Sequence, residues 1–215
     1  MASIVKVFED PSIVIHLIEP YGFSSNVYVI QGKTVALIDV GVGGMENRLA
    51  PKLREIGIGM TDVRMVILTH DHIDHVGGLE EIATCCSPVI MAHESTIGSL
   101  SRVYDLDFRM VGDGEKVPID GHFKVLHTPG HSDGSICLYD TDRGILFSGD
   151  TVFPEGWFGR TDLPTGSSRL LVDSLDRLQS LNVEKIFPGH GEVVLSQGLH
   201  CIKTAFSRAR GMTKV

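Results

Sequence analysis

Short apolar runs separated by glycine, proline and asparagine recur through the first forty positions of the chain. They read "SIVIHLIEP", "SNVYVIQG" and "TVALIDVG". Runs of this length, rich in β-branched residues and bounded by turn-forming residues, are typical of β-strands. The pattern therefore predicts an antiparallel meander near the beginning of the chain.

Helical and extended patterns then alternate. Apolar residues at helical spacing predict one helix within residues 43–57, ended by Gly57, and a shorter one within residues 78–86. Pro51 is tolerated in the first of these helices only if it lies in the first turn. Continuous apolar runs, "VRMVIL" and "PVIMA", predict two buried strands between and after the helices.

The second half of the chain repeats this order. Three strands, a capped helix, a short strand and a closing helix are predicted within residues 122–130, 135–144, 144–153, 165–182, 183–189 and 196–211. Gly121, His122 and Gly134 fall in the predicted turns. Two such halves can stack their sheets face to face with helices outside, which predicts an α/β fold: a four-layer αβ/βα sandwich of two packed mixed sheets. Because no linker or low-complexity tract divides the halves, we expect a single domain over residues 1–215.

Composition narrows the function classes. The formal net charge is -8, and no block rich in lysine or arginine occurs. We therefore expect no nucleic-acid partner and no membrane partner, and instead a small-molecule substrate. The beginning of the chain lacks the pattern of a secretory signal, so a cytoplasmic location is expected. The four cysteines form no metal or disulfide pattern, and Cys85 and Cys86 are predicted to be buried near a helix end.

Metal-ligand side chains follow the predicted strands in four places. The segment "THDHIDHVGG" comes directly after an apolar strand, and the motifs "TPGHS", "SGD" and "PGHG" follow three others. Imidazole nitrogens and carboxylate oxygens suit borderline cations such as Zn²⁺, Mn²⁺ or Fe. Seven such ligands are too many for one tetrahedral ion but suffice for two, and Asp150 is the best bridge because a carboxylate can bind two metals.

These four motifs, in this order, resemble the signature of the metallo-β-lactamase superfamily over nearly the whole chain. The resemblance implies the metallo-β-lactamase fold and two divalent metal ions, Zn²⁺ first with Fe or Mn as alternatives. It assigns His70, His72 and His131 to one metal, Asp74, His75 and His190 to the other, and Asp150 to both. Asp71 occupies a variable position and is not expected to be a ligand. Asp39 in "LIDVG" is expected to brace residues 69–78, called here the ligand segment.

The implied reaction is hydrolysis. Two metals lower the pKa of a bridging water to about 7 and polarise a carbonyl, so that hydroxide attacks at neutral pH. Asp74 is expected to orient this hydroxide and to handle its proton, which makes Asp74 the predicted catalytic residue.

The stretch "GRTDLPTGSSRLLVDSLDRL" resembles the glyoxalase II-like group, which hydrolyses thioesters. We therefore expect a thioesterase that acts on a small acyl thioester. Only 25 residues follow His190, fewer than in typical glyoxalase II enzymes, so dependence on glutathione stays open. Arg160, Thr161 and Trp157 are the predicted substrate contacts. The alternatives are a mononuclear iron enzyme that resembles persulfide dioxygenases, or a lactonase or esterase; contributions of His93 and His127 to the site also stay open.

Overall fold

The computed structural model describes residues 2–119 and 123–212, and the predicted turn at Gly121 and His122 lies outside these residues. The chain forms two compact units. Most residues before position 110 belong to the first unit, and most residues after position 122 belong to the second. Each unit contains one β-sheet. The expectation of a single domain over residues 1–215 stays a prediction.

The first unit contains a seven-stranded mixed sheet. Its strands lie side by side in chain order: β1 (Ser3–Glu9), β2 (Val14–Glu19), β3 (Val27–Gln31), β4 (Val35–Ile38), β5 (Val63–Ile67), β6 (Val89–Ala92) and β7 (Phe108–Met110). Neighbours from β1 to β4 are antiparallel, which confirms the predicted meander, and neighbours from β4 to β7 are parallel. Strands β1 and β7 were not predicted, because neither contains a fully buried residue and their apolar periodicity is weak.

Four helices occur between residues 49 and 100. They are α1 (Leu49–Glu55), α2 (Ile73–Val76), α3 (Leu79–Cys85) and α4 (Glu94–Leu100). The predicted helix over residues 43–57 is interrupted, because Arg48 is extended and separates a 3₁₀ turn at Met45–Asn47 from α1. Pro51 lies in the first turn of α1, where a missing N–H costs nothing. The expectation that Cys85 is buried is wrong: the side chain is exposed at the end of α3, and Cys86 is half-buried.

The second unit contains a four-stranded mixed sheet and two long helices. The strands β8 (Phe123–His127), β9 (Ile136–Asp140), β10 (Ile145–Gly149) and β11 (Lys185–Pro188) lie in the order β11-β10-β9-β8. The pair β10–β11 is parallel and the other two pairs are antiparallel. The helices are α5 (Ser168–Leu178) and α6 (Gly198–Met212). The sequence offers Ser167 or Ser168 as the cap of α5, and in the structure Ser167 caps it by accepting a hydrogen bond from the N–H of Leu170.

Each unit has its own hydrophobic core. In the first unit, Leu49 and Leu53 of helix α1 belong to the same buried cluster as strand residues such as Val66. In the second unit, the apolar face of α5 buries Leu171, Leu175 and Leu178. Two mixed sheets accompanied by helices confirm the predicted α/β class. None of the helices described is long and apolar enough to cross a membrane.

Candidate metal centre

The first unit places Asp39 and the ligand segment at one edge of its sheet. Strands β4 and β5 are parallel neighbours, and Asp39 follows β4 directly. Thr69 and His70 follow β5 by two and three positions, and the N–H of Asp39 donates to the carbonyl of Ile67 over 2.9 Å. Because the carboxyl ends of neighbouring parallel strands share an edge, these residues meet without a long connection.

The Asp39 carboxylate accepts hydrogen bonds from three groups. The N–H of Thr69 donates over 2.7 Å and the Thr69 hydroxyl over 2.8 Å. The third partner is Nδ1 of His75, 2.8 Å from Asp39 Oδ2, and both side chains are buried. Asp39 has a left-handed backbone with φ of 58°, a conformation that aspartate tolerates better than most residues. The backbone conformation of Asp39, directly after β4, thus directs its carboxylate towards the ligand segment.

These hydrogen bonds fix the proton positions on two imidazoles. His75 donates from Nδ1 to a carboxylate that can only accept, which leaves Nε2 with its lone pair, 3.9 Å from Asp74 Oδ2. The Thr69 hydroxyl gives its own proton to Asp39 and accepts from Nδ1 of His70 over 3.0 Å. The Nε2 of His70 then lies 3.1 Å from Nδ1 of His72. The network therefore places the protons of His70 and His75 on Nδ1, the tautomer in which Nε2 is able to bind a metal.

Two glycines bring the ligand segment close to the chain that leaves β4. A Cβ atom on Gly77 would lie 2.2 Å from the carbonyl oxygen of Val42, and one on Gly78 would lie 2.1 Å from that of Val40. The carbonyl of His75 accepts the N–H of Val40 over 2.9 Å. The pair "GG" at the end of the motif is thus required by backbone packing.

The second unit gathers His131, Asp150 and His190 in the same way. Strands β8 and β10 run in the same direction, because each is antiparallel to β9, and β11 is parallel to β10. The three residues follow the carboxyl ends of β8, β10 and β11. Asp150 lies between the two histidines: its Oδ2 is 3.4 Å from Nε2 of His131 and 3.6 Å from Nε2 of His190.

A loop after β10 orients His131. The ring donates from Nδ1 to the carbonyl oxygen of Arg160 over 2.7 Å, so that Nε2 faces Asp150. The preceding residue, Gly159, donates its N–H to the carbonyl of Asp150 over 2.9 Å. A backbone carbonyl behind the imidazole is a common device for orienting a histidine ligand.

The donor sets fit divalent cations. All seven predicted ligands belong to groups of histidine and aspartate side chains that could hold a metal ion. A tetrahedral ion with bonds of about 2.0–2.2 Å separates its ligands by about 3.3–3.6 Å. The His131–Asp150 and His190–Asp150 separations match this spacing, and they exceed an ordinary hydrogen bond. The chemistry and spacing of the donors thus suit a metal such as zinc or iron.

The predicted substrate contacts lie in the second unit, in and beside the loop that orients His131. The Arg160 guanidinium forms a two-pronged ion pair with Asp162, with both N–O distances 2.7 Å. The hydrogen bonds from Arg160 lower the pKa of Asp162 to about 2. Thr161 contacts the hydroxyl of Ser168 over 2.6 Å, and the Trp157 ring is 59% exposed. Their contact with a substrate stays a prediction.

His93 and His127 form a stacked pair in the second unit. Their ring centroids are 4.0 Å apart and the planes differ by 8°. His127 donates from Nε2 to the carbonyl of Asp133 over 2.8 Å, in the turn that contains His131. Burial, followed by the proximity of His127, lowers the pKa of His93. The sequence leaves a role of either histidine in the site open and contains no signal that the two rings stack.

Comparison with protein families gives one match over most of the chain. The model described as the metallo-beta-lactamase superfamily matches residues 20–190, a range that contains all seven predicted ligands. The matched range also contains Asp39 and the loop at Gly159. The predicted order of motifs and the family match therefore agree.

Similar proteins support the same assignment. A probable metallo-hydrolase of Methanocaldococcus jannaschii is 34% identical over 198 residues, covering 80% of this chain and 90% of that protein. The hydroxyacylglutathione hydrolase GloC of Haemophilus influenzae is 29% identical over 197 residues, covering 82% of this chain and 90% of that protein. The crystal structure of TTHA1623 in a di-iron-bound form has a TM-score of 0.65 at 29% identity, covering 91% of this chain and 96% of that one. The fold prediction is confirmed.

Proposed function

The chain belongs to the metallo-beta-lactamase superfamily and is a metallo-hydrolase, and we propose that it hydrolyses a small acyl thioester with two bound metal ions. The thioester specificity is supported by the likeness to a protein named as a hydroxyacylglutathione hydrolase. It is also supported by the "GRTDLP" loop, which resembles the glyoxalase II-like group.

We propose the following ligand assignment for the two ions. His70, His72 and His131 hold one ion, and Asp74, His75 and His190 hold the other, with Asp150 bridging them. Zinc is the proposed metal, with iron or manganese as alternatives. The di-iron form of a similar protein supports iron as the strongest of these alternatives.

The position of Asp150 is the observation that carries this proposal. One oxygen of its carboxylate faces the Nε2 atoms of two histidines that belong, by the family pattern, to different metals. Asp150 is also buried, and burying a carboxylate is costly unless a positive charge compensates.

The reaction adds water across the thioester. The bound ions would supply an activated water at neutral pH and stabilise negative charge on the substrate carbonyl oxygen. The Asp74 carboxylate would orient the attacking water and accept its proton. A C–O bond forms, the C–S bond breaks, and that proton neutralises the departing thiolate, giving a carboxylic acid and a thiol.

The first test is thioester hydrolysis without oxygen. Metal-free protein is reloaded with zinc, and the thiol released from a small acyl thioester is measured in air and under anaerobic conditions. We expect equal rates in both, and no activity in the metal-free protein. The variant His190→Ala should lose several orders of magnitude in rate, because it removes a proposed ligand of the second metal.

The alternative function predicts the opposite pattern. A persulfide dioxygenase consumes oxygen with glutathione persulfide, needs Fe(II) and is inactive with zinc. Oxygen uptake by the iron form, with no anaerobic thioesterase activity in any metal form, would overturn the proposed thioester hydrolysis.

A further inference from the structure

We propose that Arg160 is a positioning residue that holds the backbone behind His131 through its ion pair with Asp162, and that it does not bind the substrate. The inference rests on the proposed metal-binding role of His131. It reassigns the side chain that sequence reasoning favoured for recognition of a substrate carboxylate.

The backbone at Arg160 determines which nitrogen of His131 can bind a metal. Its carbonyl oxygen accepts the Nδ1 proton over 2.7 Å, which leaves the Nε2 lone pair directed at Asp150. If this carbonyl moved, the ring could take the other tautomer or rotate away from Asp150. The exact path of residues 159 and 160 therefore matters for the ligand geometry.

That path is tightly packed on one side. A Cβ atom on Gly159 would lie 2.3 Å from the carbonyl oxygen of Asp150 and 2.6 Å from Nδ1 of His131. Since real Cβ atoms do not approach so closely, only glycine lets the chain pass between the two groups. The loop touches both predicted ligands at this point.

The ion pair fixes the loop on its other side. Nε and one terminal nitrogen of Arg160 each bind one oxygen of Asp162, two residues further along. This two-pronged geometry occupies the edge formed by Nε and one terminal nitrogen, which is one of the two edges by which the guanidinium could bind a substrate carboxylate. The pair closes a short turn and restricts the peptide units of residues 160 and 161.

The rest of the loop is attached to the turn that contains His131. The Thr161 hydroxyl contacts that of Ser168, and the N–H of Ser167 donates to the carbonyl of Gly130 over 2.8 Å. A shift of the loop would therefore displace Gly130 as well as the imidazole ring of His131. Together with these hydrogen bonds, the ion pair between Arg160 and Asp162 holds the loop beside His131.

A double-mutant cycle separates positioning from substrate binding. Zinc affinity of the metal-free protein is measured by competition with a chromophoric chelator for Arg160→Gln, Asp162→Asn and the double variant. Both residues are exposed, with side-chain exposures of 64% and 68%, so the expected loss is modest. We expect each single change to weaken zinc binding by the same factor, about three- to tenfold, and the double variant to be no worse.

Substrate kinetics of the same variants supply the opposing outcome. If Arg160 binds substrate, Arg160→Gln raises KM with unchanged zinc affinity, and Asp162→Asn has no such effect. That result would overturn the proposal, as would unchanged zinc affinity in all three variants. Exchanging the two charges in one variant, with Arg160→Asp and Asp162→Arg together, should restore part of the zinc affinity if the pair acts as a unit.

A second measurement reports on the ring itself. The imidazole ¹⁵N shifts of metal-free protein distinguish the Nδ1–H from the Nε2–H tautomer of His131. We expect Gly159→Ala to lose the Nδ1–H form, whereas Gly112→Ala, at a position with open space, should keep it. If Gly159→Ala does not fold, the tautomer is measured in Arg160→Gln, where an unchanged Nδ1–H population counts against the proposal. These readouts need no substrate, so an absence of thioesterase activity would defeat the proposed function alone.

Discussion

Oδ2 of Asp39 lies 2.8 Å from Nδ1 of His75, and the two side chains are almost completely buried. The two residues are 36 positions apart in the chain, and the contact exists because the parallel strands β4 and β5 end at the same edge. The carboxylate accepts hydrogen bonds from His75 and twice from Thr69, whose hydroxyl contacts His70. It therefore links His75 directly, and His70 through Thr69, in the ligand segment.

The change Asp39→Asn should lower both the free energy of unfolding and the affinity for zinc. An amide nitrogen cannot accept a hydrogen bond, so at least one of the three donors faces another donor. We expect unfolding free energy of metal-free protein to fall by about 1–3 kcal/mol and zinc affinity to fall about 10–100-fold. Asparagine tolerates the left-handed backbone at this position, so the change isolates the carboxylate.

Asp71→Asn is the matched control for that experiment. Asp71 lies in the same segment but is predicted not to be a ligand. Denaturant unfolding and zinc competition should give values within error of the wild type. Equal losses in both variants would mean that the carboxylate of Asp39 has no special role.

A second prediction concerns the backbone contact at Gly78. The change Gly78→Ala places a methyl group against the carbonyl of Val40, so the ligand segment must move away from the exit of β4. We expect a loss of about 3 kcal/mol in the free energy of unfolding. Gly98→Ala, in helix α4 with open space around it, should be neutral or stabilising by up to about 1 kcal/mol. Thermal unfolding of the two variants checks the contrast, and equal melting temperatures would contradict it.

The stacked pair predicts a pH effect on stability. The pKa of His93 is lowered by burial first and by His127 second, against the opposing effects of Glu94 and Asp133. A group with a lowered pKa contributes stability that is complete above its ordinary value of 6.5 and is lost as the pH falls through the folded value. When the pH is lowered from above 6.5, the metal-free wild type should therefore lose more free energy of unfolding than the variant His93→Phe. The phenylalanine keeps a ring in the stack but cannot titrate. Parallel curves of unfolding free energy against pH would show that His93 does not contribute.

The thiol part of the substrate is addressed by a comparison of two thioesters. The kcat/KM for S-lactoylglutathione is measured against that for the lactoyl thioester of a smaller thiol. We expect the preference for the glutathione ester to stay below about a hundredfold, equivalent to about 2.7 kcal/mol of transition-state binding. A larger preference would show a dedicated glutathione site.

The sequence predicts most of the elements that bury apolar residues, but it does not predict the short helices α2 and α4, although they bury Val76 and Leu100. The strands β2 to β6 and the helices α1, α3, α5 and α6 have apolar faces that periodicity detects. Strand β1 and the four-residue helix α2 depend on pairing and on the chain around the ligand segment, which no local pattern encodes. Tertiary hydrogen bonds determine such elements.

The candidate site shows the same division. The types of the metal-ligand residues and their positions after strands could be predicted. Each strand is recognisable in the sequence, and the ligand residues come shortly after its last residue. The side-chain partner of Arg160 could not be predicted, since two residues of a loop can face together or apart with equal local preference. The stacking of His93 on His127 requires the fold of the second unit and has no counterpart in spacing.

The number of metal ions bound per chain decides whether the site is dinuclear. Metal-free wild-type protein is dialysed against an excess of zinc, and bound metal per chain is measured by elemental analysis. We expect two ions per chain for the wild type and for Asp71→Ala, and a loss of at least one ion in Asp150→Ala, which lacks the proposed bridging carboxylate. A wild-type protein that binds a single ion at saturating zinc would contradict this expectation.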